Sequence, residues 1–373
     1  MKIGITCYPT YGGSGIIATE LGKGLAKKGH EVHFISYSLP ARLNHFEERL
    51  FYHEVEMLNY PLFEYVPYAL YLAAKMTEVT RYQNLDLLHV HYAIPHSISA
   101  YLAQQILTER KLKIITTLHG TDINIVGNSP SLLPITKFGI EVSDGVTAVS
   151  DFLKNQTYTE FKINKDIEVI KNFVDTQVFT RVDARAIRKW IAPQGEKIIS
   201  NIGNFRPVKR VDLAVQIFNR INKEIPCKLI LVGDGPERDK VEKTCRELNI
   251  CSRVYFLGKQ DSIVEILSAS DLFLFPSESE SFGLAALEAM SCEVPVVASR
   301  VGGLPEVFDD GEEGFLIEKD DLDGMVERSL EILSNESLGM EMGRKGRIRA
   351  QQKYDMNLIL KKYEDYYTKI MEG

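Results

Sequence analysis

A chain of 373 residues with 45% hydrophobic side chains is globular and too long for one ordinary core, so two domains, or three, are expected. The net charge of −7 excludes a broad nucleic-acid footprint, and no apolar run approaches the roughly 18 residues of a membrane span, so neither a nucleic-acid partner nor stable membrane insertion is expected. Five cysteines with no C-x-x-C pair give no disulfide framework; a reduced cytoplasm is the expected compartment, and assembly as a homo-oligomer is compatible with this composition.

In chain order, 2–7 reads as a buried strand, too soon interrupted by Pro9 and Gly12 to be a signal peptide. The turn Pro9-Thr10-Tyr11-Gly12-Gly13-Ser14-Gly15 then opens a helix over 15–28. A Gly-rich turn at that place lets backbone amides approach a phosphate, although it is neither G-x-G-x-x-G nor a Walker A loop. Strands at 31–36, 86–90, 113–118 and 145–149 alternate with helices near 68–83, 95–110 and 131–143. This is the grammar of a parallel sheet covered by helices. His89, His91 and His96 cluster around the strand at 86–90. His89 and His91 could be read as metal ligands, but without a carboxylate or Cys at short spacing zinc is the weaker reading, and His91 and His96 read better as pocket lining. The strand at 113–118 ends in Thr116-Thr117-Leu118-His119-Gly120-Thr121-Asp122, where a His at a strand end beside a Gly favours an active-site role.

After Lys171-Asn172-Phe173-Val174-Asp175 the pattern restarts, with strands near 197–202, 227–232, 253–257, 271–275 and 294–298 and helices at 209–222, 236–248, 261–268 and 283–291. The domains expected are therefore 1–170 and 171–354, with a helix over 355–373 that could cross back to the first. Ligands of open parallel sheets sit beyond the carboxyl ends of strands, and two such sheets facing one another would form a cleft. Asn204-Phe205-Arg206-Pro207-Val208-Lys209-Arg210 brings three cations to a strand end and a helix start. Cations oppose the dipole there, and a bound diphosphate would relieve the conflict. Val232-Gly233-Asp234-Gly235-Pro236 and Gly302-Gly303-Leu304-Pro305-Glu306 are further strand-to-helix turns. Glu280-Ser-Phe-Gly-Leu-Ala-Ala-Leu-Glu288 places one carboxylate before an amphipathic segment and another eight residues on. If the span were wholly helical, the two would lie roughly 12 Å apart, beyond the separation of a hydrolase acid/base pair, and Ser281 to Leu284 would present free N–H groups to a phosphate.

Together with Cys7-Tyr8-Pro9, the turn and helix start Gly12–Gly22, His89-Val90-His91-Tyr92-Ala93 with Pro95-His96, and Leu118–Ile123, these motifs resemble the retaining, two-domain (GT-B) glycosyltransferases of family 4 over essentially the whole chain. Within that family the likeness is to members that use L-malate as acceptor. The resemblance implies an α/β fold of two Rossmann-like, doubly wound parallel-sheet domains facing across a cleft, the first binding acceptor and the second donor. It implies a hexosyltransferase that moves N-acetylglucosamine from UDP-N-acetylglucosamine to the hydroxyl of L-malate, giving the α-linked glycoside and UDP at the start of bacillithiol biosynthesis, with no cofactor and no metal. The competing readings are another family 4 transferase with a different acceptor, a UDP-N-acetylglucosamine 2-epimerase, and a non-catalytic nucleotide-sugar sensor.

Carried over by position, Glu288 would hold the ribose hydroxyls and Glu280 the transferred sugar. Arg206 and Lys209 would neutralise the diphosphate, cradled by Gly13, Ser14, Ser281, Phe282, Gly283 and Leu284. Gly258 and Lys259 would meet uracil, Asn204 and Gly233 would line the donor pocket, and His119 would face the reacting sugar. Family members commonly carry Gly-Arg followed five residues later by Lys; setting that Lys on Lys209 puts Asn204 where the Arg is expected and leaves Arg206 two places late. The two carboxylates of L-malate call for cations and hydroxyls, for which Ser14, Arg42, Asn44, Tyr92 and Thr117 are the candidates.

Overall fold

The computed structural model describes residues 1–43, 46–58, 65–109, 111–124 and 129–373. The chain divides into two compact units, one of residues 1–172 with 357–373 and one of residues 173–356. Among the described residues no helix is long and apolar enough to cross a membrane.

The first unit carries seven strands: β1 (Lys2–Thr6), β2 (Glu31–Ser36), β3 (Leu50–Glu54), β4 (Leu87–His91), β5 (Lys113–Leu118), β6 (Gly145–Ala148) and β7 (Glu168–Val169), in the order β3-β2-β1-β4-β5-β6-β7. Every pairing is parallel. Strands buried on both faces read as continuous apolar runs, which is why β1, β2, β4, β5 and β6 are visible in the sequence. The edge strand β3 is half exposed and its Leu-Phe-Tyr-His-Glu is amphipathic, and β7 has two residues, so neither carries that signal.

The helix Met356–Glu372 completes this unit. Ile359, Leu360, Tyr363, Tyr366 and Tyr367 recur at helical spacing and are all buried. Gly24 of the helix Gly13–Lys27 admits the approach of Leu360, since a Cβ there would lie 2.5 Å from a Leu360 methyl carbon. Glu364 caps the contact by accepting from Lys28 at 2.6 Å and pairing with His30 at 3.0 Å.

The second unit holds β8 (Lys197–Ile202), β9 (Cys227–Val232), β10 (Val254–Gly258), β11 (Leu272–Phe275), β12 (Val296–Ser299) and β13 (Gly314–Ile317), again all parallel, in the order β10-β9-β8-β11-β12-β13. The helix Val211–Glu224 shows why the helices lie on the sheet: Val211, Ala214, Val215, Phe218 and Ile221 form one buried stripe. Burying a side chain such as Phe218 contributes about 2–3 kcal/mol relative to leaving it in water. In each unit the strand order reverses at one point, between β1 and β4 in the first and between β8 and β11 in the second. The loops leaving those strands are where an open α/β sheet binds ligands.

Candidate active site

At the reversal point of the second unit, the turn after β8 meets the loop after β11. Lys209 closes the short turn Pro207–Lys209, and its ammonium lies 2.6 Å from Glu280 Oε1 and 5.3 Å from the centre of the Phe275 ring. Glu280 is 7% exposed, so this is a largely desolvated pair in which loss of either charge strands the other. The two loops are also tied through the backbone, Glu278 donating to the Val208 carbonyl at 2.8 Å. Arg206 is exposed, whereas Arg210 turns to Asp320 at 2.9 Å. The three cations expected at one mouth are thus divided: Lys209 is held against the buried Glu280, Arg210 against the exposed Asp320, and Arg206 is exposed.

Glu280 does not stand on a helix. The helix is Leu284–Ser291, preceded by Gly283 at φ 101°, a left-handed conformation that lets the chain turn from loop into helix. Only Glu288, 5% exposed, belongs to it, so the roughly 12 Å separation expected from 1.5 Å per helical residue does not apply. The first N–H groups without an intrahelical acceptor are therefore those of Leu284, Ala285 and Ala286 rather than those starting at Ser281. The segment is clamped from the other side: Gly303 donates to the Glu280 carbonyl at 2.9 Å, and a Cβ on Gly302 would lie 1.8 Å from that oxygen. Phe282 is buried edge-on against Tyr354.

Asn204, Gly233 and Gly258 share one backbone ladder beyond β8, β9 and β10. Gly203 donates to Val232 at 3.0 Å, Gly233 to Gly258 at 2.8 Å and Phe205 to Asp234 at 3.0 Å. Gly233, at φ 124°, packs so closely on the Gly203 carbonyl that no side chain fits. Lys259 follows in the solvent.

The site of the first unit is built around β1, β4 and β5. Gly13 opens the helix Gly13–Lys27 exposed and without a side-chain cap, and the Ser14 hydroxyl meets the Tyr92 hydroxyl at 2.7 Å. Tyr92 adopts φ 97°, a conformation that costs a non-glycine residue and concentrates at functional sites. Its ring lies 5.3 Å from Tyr8 and 5.5 Å from His119. Arg42 is half-buried at φ 66°, and Asn44 lies outside the described residues. Thr117 is placed differently from the acceptor contact expected of it. It is fully buried, and its hydroxyl bonds His89 Nε2 at 2.7 Å and Thr147 at 2.6 Å, because its position in β5 turns it into the sheet packing.

His119 is joined to groups that sequence reasoning did not connect to it. Its Nε2 lies 2.8 Å from His91 Nδ1, with the rings stacked 5.0 Å apart, and the His91 ring lies tilted against that of His89, centres 4.5 Å apart. The signal was strand periodicity: with His91 opposite Thr117 in the β4–β5 register, His89 and His91 share a face of β4, and each reaches the residue two beyond its partner on the neighbouring chain. Both nitrogens of His89 are engaged, by Tyr367 and Thr117 at 2.7 Å each, which leaves it no lone pair for a metal. Burial pushes the His89 and His119 imidazoles down to about 3, His96 to about 4, and His91 well below the usual range. All four are neutral at pH 7. Asp122, also missed as an organiser, is buried and accepts backbone N–H groups from Ala93 and Gly120 at 2.9 Å and His119 at 3.2 Å. Burial raises its carboxyl despite those donors.

The family model Glycosyltransferase Family 4 matches residues 11–178, and the model Glycosyl transferases group 1 matches residues 183–349. Over 100% of its own length and 97% of the relative's, the chain is 49% identical to N-acetyl-alpha-D-glucosaminyl L-malate synthase of Bacillus anthracis. It is 30% identical to an uncharacterized glycosyltransferase of Methanocaldococcus jannaschii, over 91% of this chain and 90% of that one. Among solved structures, sucrose-phosphate synthase of Thermosynechococcus elongatus matches at TM-score 0.81 and 23% identity over 100% and 99% of the two chains. HepE of Anabaena, solved in complex with UDP and glucose, matches at TM-score 0.80 and 20% identity over 99% of each chain. At such identities the last two likenesses speak for the fold.

Proposed function

The chain belongs to glycosyltransferase family 4, and on that premise we propose that it moves N-acetylglucosamine from UDP-N-acetylglucosamine to the hydroxyl of L-malate, releasing UDP, as the opening step of bacillithiol biosynthesis. The observation that carries this reading is the 49% identity to the L-malate synthase of Bacillus anthracis across essentially both full chains. The donor's sugar is α-linked to its diphosphate and the relative's name describes an alpha-D-glucosaminyl product, so the stereochemistry is retained.

In the reaction the bond from the sugar's C1 to the diphosphate oxygen breaks, and the malate hydroxyl oxygen bonds to C1 on the same face. Its proton passes to the departing phosphate oxygen. The barrier lies in the negative charge gathering on the diphosphate while the sugar becomes oxocarbenium-like, so preorganised positive groups lower it. Lys209, Arg206 and the N–H groups opening the helix Leu284–Ser291 supply them in this reading. Glu280 holds Lys209 in place and keeps lone pairs for a sugar hydroxyl. Glu288 takes the ribose hydroxyls, with Asn204, Gly233, Gly258 and Lys259 around the nucleotide. In the first unit Ser14, Tyr92, Arg42 and Gly13 serve malate and the phosphate side, and His119, neutral at pH 7, serves as a hydrogen-bonding group rather than an acid.

The test is UDP release from UDP-N-acetylglucosamine by the purified protein, with and without L-malate and with no added metal, followed by proton NMR of the anomeric signal. Malate-dependent release with an α-linked product is expected. Release indifferent to malate would overturn the acceptor, and a β-linked product would overturn retention. A hydrogen bond to a charged group contributes about 1.5–3 kcal/mol, so Glu288→Ala is expected to weaken UDP binding about 10- to 100-fold by calorimetry. Equal affinities in the two proteins would remove Glu288 from the ribose.

A further inference from the structure

We propose that His91 is a positioning residue that fixes the tautomer of His119, so that His119 presents an Nδ1–H donor to a substrate oxygen. The inference rests on the transferase reading above for the substrate, but its proton assignment rests on the structure.

His96 supplies the first step. Its Nδ1 lies 2.5 Å from the backbone carbonyl of His91, and a carbonyl only accepts, so the proton of this neutral ring is on Nδ1 and Nε2 is bare. That Nε2 is buried with no partner among the described residues. A buried bare nitrogen is tolerated better than a buried orphan N–H.

His91 repeats the situation. Among the described residues its Nε2 is also buried without a partner, while its Nδ1 lies 2.8 Å from His119 Nε2. Two neutral imidazoles sharing one hydrogen bond need one donor and one acceptor. Were His91 to carry its proton on Nε2, it would bury an orphan donor; with the proton on Nδ1, it donates to His119 and leaves only a bare lone pair. The His119 proton is then on Nδ1, which makes no hydrogen bond among the described residues. His89 keeps the relay rigid, packed tilted against His91 at 4.5 Å and held at both nitrogens by Tyr367 and Thr117. The site thus offers a directed N–H to a sugar hydroxyl or a malate carboxylate oxygen, and disfavours a ligand that can only donate there.

The test compares His91→Asn, whose side-chain amide can place an N–H where the imidazole Nδ1 stood, with His91→Leu, which cannot. His91→Leu is expected to lower kcat about 10- to 100-fold, the order of loss for a displaced site group. His91→Asn is expected to recover most of it, UDP affinity should be unchanged in both, and on a His119→Ala background His91→Leu should add little. Equal impairment of the two variants, or additive losses in the double variant, would overturn the proposal. Nitrogen-15 NMR of His119 gives a readout independent of turnover and of His91→Leu folding: a protonated Nδ1 with a bare Nε2 in the wild-type protein is expected, and the reverse would overturn it. If malate-dependent turnover were absent in the wild type while Nδ1 proved protonated, the substrate reading would fail and the tautomer assignment would stand.

Discussion

Replacing Lys209 by alanine is expected to lower kcat/KM for UDP-N-acetylglucosamine by about 10²- to 10³-fold, the loss typical of removing one preorganised group that stabilises transition-state charge. The variant has a second defect that a surface lysine would not show: Glu280, 7% exposed and 2.6 Å from the ammonium, is left with no cation beside it. A carboxylate stranded in this way repels a diphosphate, so the loss should exceed that of Arg206→Ala, whose side chain is exposed. Lys209→Arg should recover part of the activity, because its fork keeps the charge but not the point geometry over Phe275. Initial rates of UDP release measure all three. A Lys209→Ala enzyme within threefold of wild type would take Lys209 out of the diphosphate site.

Mild acid is expected to unfold the first unit while leaving the second folded. All eight histidines lie between residues 30 and 119. His89, His91 and His96 are fully buried, and burial depresses each of them far below 6.5. Between the folded values and 6.5 the unfolded chain binds more protons than the folded one, so stability is complete above about pH 6.5 and falls as pH drops below it. Each such residue gives a slope approaching about 1.4 kcal/mol per pH unit, and three together about 4, against a total stability of about 5–15 kcal/mol. Asp122, with its raised carboxyl, works in the opposite sense as a single group. Trp190, the one tryptophan of the chain, lies in the second unit against Tyr255 and reports on it alone. Thermal melts at pH 5 should show an early transition by far-ultraviolet circular dichroism that Trp190 fluorescence does not share. Coincident transitions moving together with pH would contradict this.

The alternation of apolar runs with helical stretches made both parallel sheets legible, since a strand covered on two faces has no choice but to be apolar. Three strands escaped: β3 is an edge strand half in water, β7 has two residues, and β13 is buried but too short at four residues to stand out as a run. Site motifs were legible wherever glycines and charges gathered at strand ends. Their mutual contacts were not, because Lys209 and Glu280 are 71 residues apart and meet only through the adjacency of β8 and β11. The helix expected over 283–291 begins one residue later, at Leu284, because Gly283 takes the left-handed conformation that turns loop into helix. Thr117 illustrates the opposite error: its residue type suited a carboxylate, but one step along a strand decides between a pocket and the core.

The helix Met356–Glu372 belongs to the first unit yet is encoded after the whole of the second. During synthesis, residues 173–356 emerge as an uninterrupted fold, whereas the unit begun at residue 1 waits for Tyr363 and Tyr367 to fill the slot beside His89. The first unit therefore closes around its histidines only after the whole of the second has been synthesised.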